Sequence, residues 1–209
     1  IIIVNNKNPR VVFCCGSGLA TFDLINYWLT CHPFSAKMDG MKYTKRSIEK
    51  NIAHHLLRGK SILLLGPRQT GKTTLLKQFD SQLFISLVSP NNRILYEKNP
   101  SILEGEVEAI KKGKREKPLV IIDEIQKVPA LLNVIQYLID NETAKFILTG
   151  SSARKIRRNS DINLLPGRLV TLRLDPFSYQ EHTAKDIMDI LLYGTLPGIV
   201  NVSDKNDKE

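Results

Sequence analysis

Residues 61–79 join three local patterns without a break: an apolar strand, a loop bounded by two glycines, and a helix. The run SILLL has the length and the unbroken apolar character of a strand that is buried on both faces. The loop GPRQTGKT follows it directly and fits the pattern G-x-x-x-x-G-K-[ST]. The fold must therefore place this loop between the carboxyl end of a buried strand and the amino end of a helix.

The spacing of the loop has a physical cause. Gly66 and Gly71 permit a tight backbone turn, so that successive amide groups and the amino end of the helix converge on a phosphate chain. Lys72 would then contact the β and γ phosphates, and Thr73 would offer its hydroxyl to Mg²⁺. The alternative is a glycine turn that binds nothing. The pattern predicts a nucleotide-phosphate site formed by Gly66, Pro67, Arg68, Gln69, Thr70, Gly71, Lys72, Thr73 and Thr74.

Strand and helix patterns alternate along most of the remaining chain. The expected elements after the loop are helices at 72–79, 103–111 and 130–139 and strands at 83–88, 119–122, 145–148 and 169–174. Because these strands are almost continuously apolar, they are typical of a parallel sheet that is covered by helices on both faces. The sequence therefore predicts an α/β fold of the P-loop NTPase type, a three-layer sandwich.

The ends of the chain differ from its middle. Ahead of the first buried strand, Ile48, Ile52 and Leu56 recur every four residues and Gly59 follows them, which predicts an amphipathic helix. No such order precedes Met41, which would be a natural start, and the chain closes on the polar sequence NVSDKNDKE. We expect an N-terminal extension over 1–40, a P-loop core over 41–200 and a polar tail over 201–209.

Two carboxylates follow four apolar residues in the segment LVIIDE at 119–124. This order places Asp123 at the carboxyl end of a buried strand, where it would join the coordination shell of Mg²⁺. Glu124 is more informative, because an ATPase needs a group that orients and deprotonates water, whereas a nucleotide kinase or GTPase requires no acid there. The alternative is that both carboxylates cap the next helix. We predict that Thr73 and Asp123 bind the metal and that Glu124 is catalytic.

Three further polar residues follow or precede predicted strands. Thr149 and Ser151 come at the end of FILTGSS, where they would sense the γ-phosphate or hold the attacking water. Arg168, in LPGR, would act as an arginine finger only if it reached a γ-phosphate in this subunit or a neighbouring one. The alternatives are that the hydroxyls cap a strand end and that the arginine lies on the surface.

Charge and cysteine content set wider limits. The chain has 30 Lys and Arg against 21 Asp and Glu, a net charge of +9 that favours anionic partners without choosing among nucleotide, nucleic acid and acidic protein. The charged runs at 111–117 and 153–158 are typical of solvated surface. All 3 cysteines lie before residue 32 without CxxC spacing, so neither a disulfide framework nor a zinc site is indicated. We expect a cytoplasmic protein.

The apolar stretch over 11–29 is about long enough to cross a bilayer. Asp23 and Asn26 would then lie in the hydrocarbon, and two glycines weaken the helix. The start IIIVNNKNPR also lacks the compact basic region that precedes the apolar part of a signal peptide. We expect no association with a membrane.

The order of the motifs resembles a known family. GPRQTGKTTLL, LVIIDEIQKVP, FILTGSSARKI, LLPGRLVTLRLDPFSYQE and LLYGTLPGIV follow one another as in predicted prokaryotic ATPases of the AAA+ superfamily, of the "AAA domain" type. The resemblance spans residues 41–200. It implies an additional-strand ATPase core, a sensor at Thr149 or Ser151, Arg168 as a finger or inter-subunit contact, and Arg68 beside the phosphates or a neighbour. Such proteins continue into a lid and a C-terminal domain, so we expect the lid to be truncated here.

These observations support one interpretation of the function and leave two others open. The first is an ATPase that requires Mg²⁺ and drives a change in a protein partner or in a homo-oligomer, with ATP rather than another nucleotide implied by the resemblance alone. The second is a nucleotide-binding switch, or a truncated remnant, with little hydrolysis. The third is a basic protein that binds nucleic acid, although the sequence contains no aromatic-interleaved basic groove.

Overall fold

The computed structural model describes residues 10–15, 18–23, 43–113, 115–151, 167–181 and 187–200. The chain divides into two units, Ile1–Lys37 and Met38–Glu209. In the first unit, strands β1 (Arg10–Cys15) and β2 (Gly18–Asp23) pair antiparallel, with Arg10 opposite Asp23. No strand is predicted from the sequence in this region.

The second unit is built on a five-stranded parallel sheet. Its strands are β3 (Ser61–Leu65), β4 (Leu83–Ser86), β5 (Leu119–Asp123), β6 (Lys145–Gly150) and β7 (Leu169–Arg173). They lie in the order β4-β5-β6-β3-β7, and every pairing is parallel. The strand β6 therefore separates the strand that leads into the glycine loop from the strand that ends at Asp123. This arrangement confirms the predicted α/β, additional-strand P-loop fold.

Helices connect the strands. They are α1 (Glu49–Leu57), α2 (Lys72–Leu76), α3 (Pro90–Lys98), α4 (Ile102–Lys111), a 3₁₀ turn (Ile125–Lys127), α5 (Leu131–Asp140), α6 (Ile187–Tyr193) and α7 (Pro197–Val200). The helix after the glycine loop is shorter than the predicted 72–79, because Gln78 and Phe79 donate to carbonyls only three residues back. Such bonds tighten the last turn of a helix into 3₁₀ geometry.

The three central strands of the sheet, β5, β6 and β3, are buried on both faces. Leu63, Val120 and Phe146 belong to one continuous core cluster that includes residues of α4 and α5. Their neighbours in the strands are also fully buried, and because side chains alternate along a strand they face the opposite side. These neighbours include Ile62, Leu64, Ile121 and Ile147. The alternation explains why the strands read as continuous apolar runs in the sequence.

The parallel topology determines which polar residues can meet. The glycine loop, Asp123 and Thr149 all lie at the carboxyl ends of their strands, so they share one edge of the sheet. Within the described ranges, no helix has the length and apolar character that crossing a membrane requires.

Candidate functional site

The glycine loop adopts the tight turn that its spacing predicts. Gly71 has φ +84°, and Gln69, with φ 65°, also lies in the left-handed region. A Cβ atom on Gly66 would lie 2.2 Å from the carbonyl oxygen of Leu174, so no larger residue fits there. The buried Thr70 donates its Oγ1 hydroxyl to the Pro67 carbonyl at 2.9 Å. The loop is therefore held closed by its own backbone.

Lys72 lies inside this loop. Its Nζ donates to the carbonyl of Gly66 at 2.8 Å and to that of Pro67 at 2.6 Å, which uses two of its three donors. Burial lowers the pKa of the Lys72 ammonium, while the carboxylates of Glu124 and Asp123 act in the opposite direction. The charge of Lys72 is thus close enough to both carboxylates to interact with them.

A chain of hydrogen bonds joins the ends of β5 and β6 to the first turn of α2. Thr73 donates its hydroxyl to Oδ2 of Asp123 at 2.9 Å, and Thr149 donates its hydroxyl to Oδ1 at 2.6 Å. The hydroxyl of Thr149 in turn accepts the backbone N–H of Glu124 at 2.9 Å. Asp123 is 2 % exposed, and each of its two carboxylate oxygens accepts a hydrogen bond from a different threonine hydroxyl.

Glu124 follows Asp123 in the sequence and takes part in these hydrogen bonds only through its backbone N–H. Its backbone has φ 62°, the left-handed conformation that non-glycine residues rarely adopt. Its Oε2 accepts a hydrogen bond from Nε2 of Gln126. The same Nε2 atom lies 3.3 Å from the hydroxyl oxygen of Ser151. Glu124 precedes the 3₁₀ turn Ile125–Lys127 but makes no side-chain capping bond to it. The capping alternative therefore has no hydrogen bond to support it.

The oxygen atoms at this site suit Mg²⁺. The Thr73 hydroxyl and the Asp123 carboxylate are hard oxygen ligands and lie within hydrogen-bond distance of each other. The neighbouring cationic Lys72 occupies the loop and contacts carbonyls rather than either of these oxygens. The residues present therefore fit a divalent cation bound beside a phosphate chain.

Two of the remaining predicted residues line or border the loop. Burial is the main cause of the lowered pKa of Lys72, and the positive charge of the exposed Arg68 acts in the same direction. Thr74 is half-buried in the first turn of α2, and its carbonyl accepts a 3.4 Å hydrogen bond from Gln78.

Arg168 is not part of this cluster. It directly precedes β7, whose first residue pairs with Ser61 at the start of β3, so it lies at the opposite edge of the sheet from the loop. Its guanidinium forms a bidentate pair with the carboxylate of Asp140, at 2.6 and 3.0 Å. This hydrogen-bonded pairing raises the pKa of Arg168 and lowers that of Asp140. A role for Arg168 as a finger stays a prediction and requires a neighbouring subunit.

Sequence reasoning missed two residues near the loop. No role is predicted for Arg46 from the sequence, yet its guanidinium is buried and donates to the carbonyl of Thr70 at 2.9 Å. Gln126 was quoted within a motif without a role, although its amide contacts Glu124. The pattern IEK after Arg46 and the spacing Asp-Glu-Ile-Gln carry no signal that distinguishes these residues from ordinary surface positions.

The basic segments give little further information. Within 111–117, Lys117 is half-buried and pairs with the exposed Glu142 at 3.1 Å. The segment 153–158 lies outside the described residues. A nucleic-acid surface stays a prediction from the net charge.

Comparison with known proteins adds an independent finding. The sequence matches the model of a family described as "AAA domain" over residues 58–183. The fold is similar to the ORC1 protein of Aeropyrum pernix, solved in complex with DNA, with a TM-score of 0.49 and 16% identity over 68% of this chain and 48% of that one. It is also similar to PCH-2 of C. elegans, with a TM-score of 0.40 and 17% identity over 58% of this chain and 36% of that one.

The chain spans about half the length of the first of these structures and about a third of the second. Among curated proteins, no sequence matches. The family match covers more than half of the 209 residues and includes the glycine loop, Asp123, Glu124 and Thr149. The resemblance to AAA+-superfamily ATPases is thereby confirmed, and the chain belongs to the AAA domain family.

Proposed function

We propose that the protein binds ATP at the loop 66–74, hydrolyses it with the help of Mg²⁺, and couples the cycle to a protein partner or to further copies of itself. The observation that carries this proposal is the meeting of two strand ends and the first turn of α2 at Asp123, whose two carboxylate oxygens accept from Thr73 and Thr149 at 2.9 and 2.6 Å. The family match supports a nucleotide site in general. ATP in particular follows from the sequence resemblance.

The loop supplies the binding energy. Its amide groups and the amino end of α2 form a concave cradle that favours an anion. The ammonium of Lys72, now shared between the carbonyls of Gly66 and Pro67, would exchange at least one of them for a phosphate oxygen. Such an exchange replaces a neutral acceptor by a charged one, which strengthens the hydrogen bond.

Thr73 and Asp123 would hold the metal. When bound, Mg²⁺ would neutralise the phosphate charge that develops during phosphoryl transfer. Thr149 donates to Oδ1 of Asp123 and so fixes that oxygen. The other oxygen, Oδ2, accepts from Thr73 and is the one that faces the loop.

Glu124 would act as the general base. Its backbone N–H is fixed by Thr149 and its carboxylate by Gln126, so the group is held at the strand end rather than free to rotate. From there it would orient a water molecule toward the γ-phosphate and take up its proton. Ser151, whose hydroxyl lies 3.3 Å from the side-chain amide of Gln126, is our candidate for holding that water.

Binding is tested by thermal unfolding with MgATP and MgGTP. A ligand at 100 times its Kd should stabilise the fold by about 2.7 kcal/mol, visible as a rise in Tm. The rise should disappear in Lys72→Ala and persist in Lys98→Ala, a lysine at the exposed end of α3. If MgATP leaves the Tm of the unchanged protein unaltered at millimolar concentration, the proposed nucleotide site does not exist.

Hydrolysis is tested separately by phosphate release. Glu124→Gln keeps the shape of the side chain but removes the base, so kcat should fall by roughly 10²–10⁴ while MgATP binding is retained. Glu97→Gln, on the exposed face of α3, is the matched control. If the unchanged protein binds MgATP but releases no phosphate above background, the protein is a nucleotide switch rather than an ATPase.

A further inference from the structure

One buried guanidinium touches two separate segments of the chain. Arg46 is 5% exposed, and it donates to the carbonyl of Thr70 at 2.9 Å and to that of Asp175 at 2.6 Å. A longer bond, 3.3 Å, reaches the carbonyl of Pro176. The guanidinium carbon also lies 4.7 Å from the ring centre of Phe177. Arg46 therefore connects the glycine loop to the segment that follows β7.

The segment after β7 is held to the start of α1 by a second contact. Glu181 lies 3.3 Å from Nε of Arg46 as an ion pair, and its two oxygens accept the backbone N–H groups of Ser47 and Ser178 at 2.6 and 3.0 Å. Burial acts to raise the pKa of Glu181, but these hydrogen bonds outweigh it, so the pKa is lowered. The carboxylate thus remains charged beside the guanidinium.

The backbone of Arg46 is also fixed. Its N–H donates to Oε1 of Glu49 at 2.6 Å, and the hydroxyl of Tyr43 donates to the same oxygen at 2.7 Å. This arrangement ties the residues before α1 to its first turn, as a capping carboxylate does. The guanidinium is therefore presented from a rigid base rather than from a free loop.

A third segment closes around the same place. The backbone N–H of Phe177 donates to the carbonyl of Thr195 at 2.9 Å. Pro197, in the motif GTLPG, lies 3.7 Å from the point where a Cβ atom on Gly71 would be, and Nη1 of Arg46 lies 3.9 Å from that point. The two C-terminal motifs of the sequence, DPFSYQE and GTLPG, thus converge on the glycine loop through Arg46 and Pro197.

The contacts require an arginine in particular. A guanidinium presents five donors in a planar fork and stacks on an aromatic ring, whereas a lysine ammonium is a single charged point. Two of the carbonyls that Arg46 reaches are 129 residues or more away in the sequence, and the third belongs to the loop. A lysine at this position would keep the charge, but its donors all lie on one nitrogen. That nitrogen cannot occupy both the position of Nη1, which donates to Thr70, and the position of Nη2, which donates to Asp175 and Pro176.

We propose that Arg46 is a positioning residue: by holding the carbonyl of Thr70, it sets the conformation of the phosphate loop and makes that conformation depend on the segment 175–181. The effect on the loop stands on the contacts alone. The effect on ligand affinity rests on the proposed function. A residue that merely stabilises the fold would influence the whole domain, whereas a positioning residue acts selectively on the loop.

The selective effect is measured without nucleotide by limited trypsin digestion. Arg68 is exposed within the loop and becomes a substrate when the loop opens, while Lys112, at the end of α4, serves as a reference site in the same chain. In Arg46→Lys, which keeps the number of trypsin sites, cleavage after Arg68 should rise roughly tenfold relative to cleavage after Lys112. Equal acceleration at both sites, or none, would overturn the proposal.

A second variant and a control distinguish an effect on the loop from a general loss of stability. Glu181→Gln leaves the three carbonyl contacts of Arg46 in place and removes its ion-pair partner, so it should raise the ratio of the two cleavages in the same direction by a smaller factor. Arg93→Lys changes an exposed arginine, paired with Glu97 across one turn of α3, and should leave the ratio unchanged.

The affinity for MgATP is then measured by calorimetry. Arg46→Lys should weaken binding roughly tenfold to a hundredfold, because a misplaced loop presents its amide groups poorly. If the unchanged protein binds no nucleotide, the proposed function fails and the trypsin ratio alone decides the role of Arg46. If the loop opens in Arg46→Lys but MgATP binds as tightly as before, the link between loop position and affinity is wrong.

Discussion

One hydroxyl group organises the interior of the candidate site. The Oγ1 atom of Thr149 donates to the Asp123 carboxylate and accepts from the Glu124 backbone. Thr149 is fully buried, so water cannot replace either bond. Because Glu124 is held in a left-handed conformation, the bond to its N–H helps to fix a backbone that is otherwise unfavourable.

Replacing this residue by an isosteric one should therefore damage both stability and activity. In Thr149→Val, the carboxylate oxygen and the N–H each lose their partner, and we expect the free energy of unfolding to fall by about 1–3 kcal/mol. Phosphate release should fall more than MgATP affinity, because Glu124 loses its orientation. Urea titration and steady-state kinetics measure the two effects, with Thr171→Val on the exposed face of β7 as control. Equal stability of the two variants would contradict the role assigned to Thr149.

The contrast between Thr149 and Arg46 explains what the sequence could predict about single residues. Thr149 ends an apolar strand, so the period of the strand and the parallel topology together bring it to the loop. The guanidinium of Arg46 finds its partners through backbone carbonyls of residues 70, 175 and 176. A carbonyl is present at every position and leaves no mark on the sequence, and for this reason such a contact could not be predicted.

The strands on either side of the loop approach it closely. The N–H of Leu174, just after β7, donates to the carbonyl of Leu65 at 2.7 Å, and the N–H of Gly66 donates to the carbonyl of Gly150 at 3.2 Å. These bonds extend the pairing of β3 with both neighbours by one step. The Leu174 backbone fills the space that a side chain at residue 66 would need. This backbone cannot move without breaking the pairing of β7 with β3.

Two glycine-to-alanine changes should have opposite signs for this reason. Gly66→Ala forces a Cβ atom against backbone, and we expect it to lower the free energy of unfolding by about 1–3 kcal/mol. Gly105 lies inside α4 with nothing within 4 Å of its added Cβ, so Gly105→Ala should raise it by about 0.4–1 kcal/mol. Denaturant titrations of the two single variants and the unchanged protein test both signs. A neutral Gly66→Ala would contradict the close approach of β7.

The success of element prediction depended on burial. The central strands β3, β5 and β6 were predicted because they are apolar on both faces, and α5 because four of its ten residues are buried on one side. The helix α3 was missed, since Tyr96 is its one buried residue and its sequence PNNRILYEK shows no apolar stripe. Its start does carry a local signal, a serine followed by proline at the first helical position, which a search for capping residues could have used.

The two edges of the parallel sheet separate the candidate catalytic groups. Lys72, Asp123 and Glu124 lie at the carboxyl edge, whereas Arg168 lies at the amino edge, roughly 15 Å away for a five-residue strand. A single chain with this topology cannot bring Arg168 to its own phosphate loop. If Arg168 contributes to hydrolysis, the protein must form an assembly in which one subunit presents this edge to the site of the next.

Mixing two inactive variants tests such an assembly. Arg168→Ala keeps a complete phosphate site and loses an exposed ion pair with Asp140 that contributes little to stability, so it should fold and bind MgATP normally. Glu124→Gln keeps Arg168 and lacks the base. We expect phosphate release from an equimolar mixture to exceed the sum of the two separate variants severalfold, because Arg168 of one subunit then serves the intact site of another. The control is a mixture of Arg168→Ala with the variant that carries both Arg168→Ala and Glu124→Gln. This mixture should show no gain in phosphate release. Additive activities in both mixtures would place Arg168 outside catalysis and leave its contact with Asp140 as its role.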